Sequence, residues 1–220
     1  MWGRCGKVGK GKLPPKSMVF SDPKPVPTGH FSLPQNSPFA VAAGTKRPGM
    51  DLSAYIRDVP DFPKPGILFK DITPLLADPA ALAMAVELMS NPYRSKDIEL
   101  VIGAESRGFI FGTAVAQALS AGFVPVRKPN KLPGDTRAIE YELEYGTDTL
   151  EIHADAIGRD QRVLIVDDLL ATGGTLRACC ELVEGLGGVI EGITVLIELG
   201  FLRGREHLVP HGDVHSLVRY

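Results

Sequence analysis

The stretch VLIVDDLLATGGT, residues 163–175, decides the fold. Its first four residues are apolar, which predicts a short strand buried on both faces of a sheet. Two carboxylates, Asp167 and Asp168, follow that strand, and a loop of small residues leads from them into a helix predicted over residues 176–186. Ligands of open α/β sheets bind at the carboxyl ends of the strands, so this segment also predicts a binding site.

The loop at residues 171–175 has the properties of a phosphate site. Glycine lets the backbone approach a ligand closely, and the free N–H groups at a helix start, together with the helix dipole, favour a dianion. The aspartates stand where a sugar attached to that phosphate would present its hydroxyls. The alternative is an ordinary strand–turn–helix with solvated aspartates. The candidate residues are Asp167, Asp168, Ala171, Thr172, Gly173, Gly174 and Thr175.

Outward from this segment, short apolar strands alternate with helices. Strands are predicted over residues 100–103, 124–127 and 189–196, and helices over residues 80–89 and 107–121. Residues 139–152 alternate between apolar and polar side chains around a Gly-Thr-Asp turn, which predicts a β-hairpin. This order predicts an α/β fold in which helices flank a mostly parallel central sheet.

A second strand–loop–helix, IGAESRGF at residues 102–109, is a further candidate anion site. It offers another helix N-terminus, the hydroxyl of Ser106 and the guanidinium of Arg107, which together could bind an anion. The alternative interpretation makes Ser106 a helix cap and leaves Arg107 on the surface.

The densest basic cluster outside the first 49 residues lies at residues 127–135 and includes Arg127 and Lys131. Its proline and glycine content predicts a flexible loop. Such a loop is either simply solvated or a lid that brings cations to a bound anion when it closes.

The charge is unevenly distributed along the chain. Residues 1–49 carry eight Lys and Arg against one acidic residue, whereas residues 50–220 carry 16 against 25. An acidic body argues against a nucleic-acid binder, and no apolar run reaches the ~18 residues of a membrane span. Residues 1–49 lack any helical or strand period, which predicts a disordered basic extension ahead of a domain over residues 50–220. Translation from Met50 and a transit peptide are the alternatives.

The segment at residues 163–175 closely resembles the phosphoribosyl-pyrophosphate (PRPP) motif of the type I phosphoribosyltransferases. The resemblance implies that Asp167 and Asp168 contact the ribose 2′- and 3′-hydroxyls. It also implies that residues 171–175 cradle the 5′-phosphate.

The segment at residues 102–109 resembles the pyrophosphate loop of the same family. The resemblance implies a cis peptide bond between Glu105 and Ser106. The pyrophosphate-binding residues that it implies are Ser106, Arg107, Arg127 and Lys131.

Two further segments resemble the adenine phosphoribosyltransferases. They are KLPG at residues 131–134 through YELEYG at residues 141–146, and DFPKPGILFKDITP at residues 61–74. The resemblance implies that the first forms a flexible catalytic loop and the second part of a small hood over the base. The implied adenine-binding positions are Leu68 and Lys70 through their backbone, Phe69 through stacking, and Leu199. Lys70 departs from the family pattern, in which many relatives have arginine.

Glu144 has two interpretations. By pattern alone it is the third glutamate on the solvated face of a strand. The resemblance instead makes it the catalytic residue, because the matching glutamate meets purine N7. A carboxylate there can hold the N7 proton as the bond between N9 and ribose changes.

The resemblance implies transfer of the phosphoribosyl group from PRPP to adenine, giving AMP and pyrophosphate. Mg²⁺ is expected to arrive with PRPP and not on protein ligands. A cytoplasmic homodimer is expected, in which Arg127 reaches the neighbouring subunit's site. A hypoxanthine–guanine or xanthine enzyme is the nearer alternative, and a PRPP-sensing regulator that binds nucleic acid is the more distant one.

Overall fold

The computed structural model describes residues 50–142 and 147–220, and of Glu142 it describes the backbone alone. The predicted extension, residues 1–49, lies outside the described residues, so the domain boundary at residue 50 stays a prediction. In chain order the strands are β1 (Arg57–Pro60), β2 (Leu68–Asp71), β3 (Leu100–Ala104), β4 (Gly122–Val126), β5 (Thr136–Glu142), β6 (Thr147–His153), β7 (Arg162–Leu170), β8 (Val189–Glu198) and β9 (Val214–Arg219). The helices are α1 (Thr73–Ala77), α2 (Pro79–Ser90), α3 (Gly108–Leu119) and α4 (Gly174–Gly185).

Five parallel strands form the central sheet, in the order β4-β3-β7-β8-β9. From β3 the chain moves to β4 on one side, whereas β7, β8 and β9 follow one another on the other side. The strand order therefore reverses between β3 and β7, and a crevice opens outside the carboxyl ends of the strands at such a reversal. The predicted parallel sheet flanked by helices is confirmed.

The side chains of β7 enter two apolar clusters alternately. Val163 and Ile165 pack with residues of α4, and Leu164 and Val166 pack with residues of α2 and α3. All four side chains are fully buried. Because side chains alternate along a strand, a sheet covered on both faces requires the all-apolar run that the sequence contains.

Two antiparallel hairpins, β1–β2 and β5–β6, accompany the central sheet. The β5–β6 pair confirms the hairpin predicted over residues 139–152, but the predicted position of its turn is wrong, because Thr147 and Asp148 lie in β6 and pair with Glu142 and Tyr141. Residues 143–146 lie outside the described residues. Paired backbone hydrogen bonds between Arg127 and Glu151, 2.9 and 2.7 Å long, join β6 to the residue after β4. The β1–β2 hairpin contains most of the segment that is expected to form the hood.

The helix predicted over residues 80–89 is confirmed as α2. Its side-chain cap is Asp78, which accepts hydrogen bonds of 2.9 Å from the N–H groups of Ala80 and Ala81. Pro79 occupies the first helical position, where its missing N–H costs nothing. Across the two described ranges, no helix combines the length and the apolarity that crossing a bilayer would require.

The structure differs from the sequence-based expectations at the end of β7, and three strands, β1, β2 and β9, have no predicted counterpart. β7 extends through Leu170, so Asp167 and Asp168 lie within the strand and do not follow it, because the backbone of β8 continues to pair alongside them. The last strand, β9, has no predicted counterpart. It lies at the edge of the sheet and most of its side chains are half-buried, so its sequence lacks the all-apolar run of a central strand.

Candidate active site

A cavity of about 240 Å³ opens where the strand order reverses. One wall is the loop after β3, and the other is the end of β7 with the loop that leads into α4. The lining residues are Glu105, Ser106, Arg107 and the continuous segment 167–176. The structure therefore brings together nine of the residues singled out from the sequence: Ser106, Arg107, Asp167, Asp168, Ala171, Thr172, Gly173, Gly174 and Thr175.

Two buried carboxylates form the floor of this cavity. Asp167 and Asp168 are 8% and 5% exposed, and the backbone N–H of Asp168 donates to Oδ1 of Asp167 at 2.9 Å. Burial raises the pKa of Asp167 well above its ordinary value, and the adjacent Asp168 carboxylate raises this pKa further. Burial also raises the pKa of Asp168, while the Arg107 guanidinium acts in the opposite direction.

Asp168 has an unsatisfied oxygen that faces a cation. The Nε atom of Arg107 lies 3.0 Å from Oδ2 of Asp168, which makes an ion pair by distance. No group among residues 50–142 and 147–220 donates a hydrogen bond to that oxygen, because the Nε–H bond of Arg107 is not directed at it. A buried acceptor without a donor is costly, and ligand hydroxyl groups would remove that cost.

The loop between β7 and α4 has the shape of an anion cradle. Gly173 has a φ of +88° and occupies the cap position before α4, which is 12 residues long. A side chain at Gly173 would be strained by that φ, and its Cβ would lie 2.5 Å from the carbonyl oxygen of Gly204. The first N–H groups of α4 have no partner within the helix and carry its positive dipole end.

Two glycines, Gly103 and Gly108, allow the two walls of the cavity to pack closely against each other. A Cβ atom on Gly108, the first residue of α3, would lie 2.7 Å from Oδ1 of Asp167. A Cβ atom on Gly103 would lie 2.8 Å from the carbonyl oxygen of Gly108. Only glycine at these two positions lets the start of α3 approach the carboxylates of β7, so the spacing of the two walls depends on them.

The loop after β3 contains the expected cis peptide bond between Glu105 and Ser106. Arg127 does not line the cavity; its Nε donates to Oε2 of Glu105 at 2.7 Å. Lys131 is exposed and also lies outside the cavity lining. The structure thus places these two predicted cations outside the lining of the cavity, with Arg127 in contact with the lining residue Glu105.

The residues expected to bind the base lie in β2 and after β8. The Arg107 guanidinium carbon lies 5.3 Å from the centre of the Phe69 ring, which links the hood to the cavity. Leu68 is half exposed, whereas Lys70 is 7% exposed. The Nζ atom of Lys70 lies 2.6 Å from Oδ1 of Asp58 and 3.5 Å from the centre of the Tyr220 ring, so these contacts occupy its side chain.

Leu199 directly follows β8, and its N–H donates to the carbonyl of Leu170 at 2.9 Å. It does not line the cavity. Glu144, the expected catalytic residue, lies outside the described residues.

The structure also places residues at the site that the sequence interpretation does not single out. Glu105 lines the cavity. Gly108 allows α3 to approach Asp167, and Gly204 packs against the loop at residues 171–173. Gly108 could have been suspected from its position at the start of a helix beside a candidate anion site. Gly204 carries no such signal, because its partners are about 30 residues away in sequence.

Comparison with known proteins gives matches over this same part of the chain. The phosphoribosyl transferase domain family matches residues 71–208. The adenine phosphoribosyltransferase of Koribacter versatilis (strain Ellin345) is 59% identical over 169 residues, which cover 77% of this chain and 92% of that protein. The solved structure of adenine phosphoribosyltransferase from Rhodothermus marinus DSM 4252 has a TM-score of 0.74 at 53% identity, covering 77% of this chain and 96% of that one. The Giardia lamblia APRTase complexed with 9-deazaadenine has a TM-score of 0.74 at 42% identity, over 77% and 96%.

The raised pKa of Asp167 predicts that this residue destabilises the fold at neutral pH. Below pH ~4 both the folded and the unfolded chain hold it neutral. As the pH rises further, the unfolded chain releases the proton while the folded protein keeps it, so the free energy of unfolding falls. Asp167→Asn should therefore raise the free energy of unfolding at pH 7 by about 0.5–2 kcal/mol, the usual size of a stabilising substitution.

Urea unfolding at pH 7 and pH 4 measures this effect, and the advantage of Asp167→Asn should shrink toward pH 4. Asp155→Asn is the matched control, because Asp155 is exposed. An Asp167→Asn protein no more stable than the wild type at pH 7 would contradict the argument.

Proposed function

Because the chain belongs to the adenine phosphoribosyltransferase family, we infer that it transfers the 5-phosphoribosyl group of PRPP to adenine and forms AMP and pyrophosphate. The observation that carries this inference is the cavity itself. On one side of it lie two buried carboxylates and a glycine-containing loop that caps a helix. On the opposite side lies a loop that contains an arginine. A sugar that carries a phosphate at one end and a pyrophosphate at the other matches those features in order.

The sugar end of PRPP suits the β7 side of the cavity. The ribose hydroxyls are donors, and the Asp168 oxygen that lacks a donor needs one. The 5′-phosphate suits the loop at residues 171–175, where backbone N–H groups at the start of α4 and the hydroxyls of Thr172 and Thr175 are available. These contacts fix the ribose so that its C1 atom points toward the opposite wall.

The pyrophosphate end suits the loop after β3. Arg107 lines the cavity and supplies a guanidinium, and Ser106 supplies a hydroxyl. Fixed positive charge beside the departing group stabilises the charge that develops on it. Mg²⁺ would enter as part of the Mg–PRPP substrate, because this ion keeps several water ligands and binds mainly through substrate phosphates; it neutralises part of the phosphate charge.

In the reaction, N9 of adenine forms a bond to C1 of the ribose while the bond from C1 to the pyrophosphate oxygen breaks. Pyrophosphate leaves with the electron pair of that bond. The proton that adenine loses departs from N7, and we propose that Glu144 accepts it. Phe69 would stack on the base, and the backbone of Leu68 and Lys70 would contact the edge of the base. Leu199 would lie near the base as well.

A steady-state assay tests the proposed function. Purified protein is given saturating Mg–PRPP and, in separate reactions, adenine, hypoxanthine, guanine or xanthine. We expect AMP and pyrophosphate in equal amounts, with kcat/KM for adenine at least ~10²-fold above that for the other bases, because a site built to hydrogen-bond one base edge leaves groups unpaired with another. No nucleotide from adenine at saturation would overturn the function.

Glu144→Gln should lower kcat by about 10²–10⁴-fold, the usual contribution of general acid–base help. The glutamine keeps the size of the side chain but cannot accept the proton from N7. Glu140→Gln is the matched control, because Glu140 is an exposed glutamate of β5, four residues before Glu144 in the sequence. If both variants turn over as the wild type does, Glu144 has no part in the mechanism.

We propose further that the protein is a homodimer in which Arg127 serves the neighbouring site. The position of Arg127 outside the lining of its own cavity supports this arrangement. A cytoplasmic location is proposed as well, because Cys179 and Cys180 are buried free thiols, which suit a reducing compartment.

Subunit mixing tests the dimer. An Arg127→Ala chain and an Asp167→Asn, Asp168→Asn chain should each be weakly active alone. Mixed dimers should recover activity, because one of their two sites combines intact aspartates with the arginine of the other subunit. Sedimentation velocity checks that dimers are present. A monomer, or mixtures no more active than their parents, would refute the shared site.

A further inference from the structure

An ion pair with a buried carboxylate and a partly exposed arginine lies at the end of β8. Glu198 is 2% exposed although it is charged. Its Oε1 accepts from Nε of Arg205 at 3.1 Å, and its Oε2 accepts from Nη2 of the same residue at 2.5 Å. The hydroxyl of Ser216 donates to Oε2 as well, at 2.6 Å. The carboxylate is therefore fully engaged, and the hydrogen bonds from Arg205 hold the pKa of Glu198 below its usual value.

Arg205 connects three parts of the chain. It lies in the short 3₁₀ turn Gly204–His207, and its Nη1 also donates to the carbonyl of Val214 in β9 at 2.5 Å. A planar guanidinium that is bound at both edges fixes direction as well as distance. The turn is thereby tied to the ends of β8 and β9.

The residue before Arg205 touches the phosphate loop. Gly204 packs its backbone against Ala171, Thr172 and Gly173 so closely that a Cβ atom would overlap the carbonyl oxygen of Ala171. From the other side, a Cβ atom on Gly173 would lie 2.5 Å from the carbonyl oxygen of Gly204. The turn that Arg205 anchors is therefore the support on which the loop rests.

An ion pair between a buried carboxylate and an arginine that is 39% exposed is in itself weak evidence for stability, because desolvation of the carboxylate and solvent screening of the arginine offset most of the attraction. The pair can still act by fixing the position of the turn that contains Gly204 and Arg205. We propose that the Glu198–Arg205 pair is a positioning device: it presses Gly204 against residues 171–173 and so keeps the loop in the shape that binds the 5′-phosphate. This inference rests on the proposed function, which supplies the phosphate.

The proposed role of the pair concerns the sugar-phosphate end of the substrate and not the pyrophosphate end. Glu198 and Arg205 contact the support of the phosphate loop, whereas the pyrophosphate wall is built from the loop after β3. Loss of the pair should therefore weaken binding of a sugar phosphate and leave binding of pyrophosphate unchanged. A variant that is merely less well folded would weaken both.

The test compares Arg205→Met with Arg203→Met. Both remove a guanidinium from the same segment, but Arg203 pairs with Glu206 on the surface and its side chain is 74% exposed. Calorimetry gives the affinities for ribose 5-phosphate and for pyrophosphate separately. Arg205→Met should bind ribose 5-phosphate about 10-fold or more weakly, with pyrophosphate affinity within about 2-fold of the wild type, and its KM for PRPP should rise more than its kcat falls. Arg203→Met should match the wild type.

A second pair of variants keeps the test decisive if Arg205→Met folds poorly. Gly204→Ala displaces the support directly, and Gly185→Ala is its control, because a Cβ there meets open space among the described residues. Gly204→Ala should show the same selective loss. Equal loss of both affinities in Arg205→Met and Gly204→Ala, or loss in neither, would overturn the inference.

The outcome for the wild type separates this inference from the proposed function. A wild-type protein that binds ribose 5-phosphate but forms no AMP would overturn the proposed function and leave the comparison of variants valid. A wild-type protein that binds no ribose 5-phosphate would overturn both.

Discussion

The reversal of strand order between β3 and β7 is the constraint on which the rest of the site depends. Both strands are parallel and adjacent, so the loops at their carboxyl ends lie side by side although about 60 residues separate them in sequence. One loop carries Arg107 and the other carries Asp167, Asp168 and the anion cradle. A ligand with anionic groups at two ends needs this pairing, which a single loop could not provide.

The site is built at the expense of stability. Two adjacent carboxylates are buried, their pKa values are raised, and one oxygen has no donor in the described parts of the chain. Glycine at positions 103 and 108 lets the two walls of the cavity approach each other, and glycine at position 173 lets the phosphate loop pack against Gly204. The burial of the two carboxylates and the oxygen without a donor are unfavourable for folding, and a ligand with hydroxyl groups would offset part of that cost.

How much the sequence predicts depends on the range of the signal. The apolar run at residues 163–166, the cap at Asp78 and the glycines of the phosphate loop act on near neighbours, so the central strands, α2 and most of the cavity lining could be predicted. The edge strand β9 lacks a continuous apolar pattern, and Gly204 acts through backbone contacts about 30 residues away. The partner of Lys70, Tyr220, is more distant still. Contacts between residues so distant in sequence produce no periodic pattern of residue types along the chain.

The position of Arg107 gives the site an internal counter-ion. The guanidinium lies near Asp168 and beside the ring of Phe69, so it touches the sugar wall and the hood at once. An incoming pyrophosphate must compete with Asp168 for this group. A pyrophosphate that drew the guanidinium away would leave the Asp168 carboxylate without its cation and the Phe69 ring without this neighbour. Occupation of the pyrophosphate end would thus change the electrostatic surroundings of both the sugar wall and the hood through a single guanidinium.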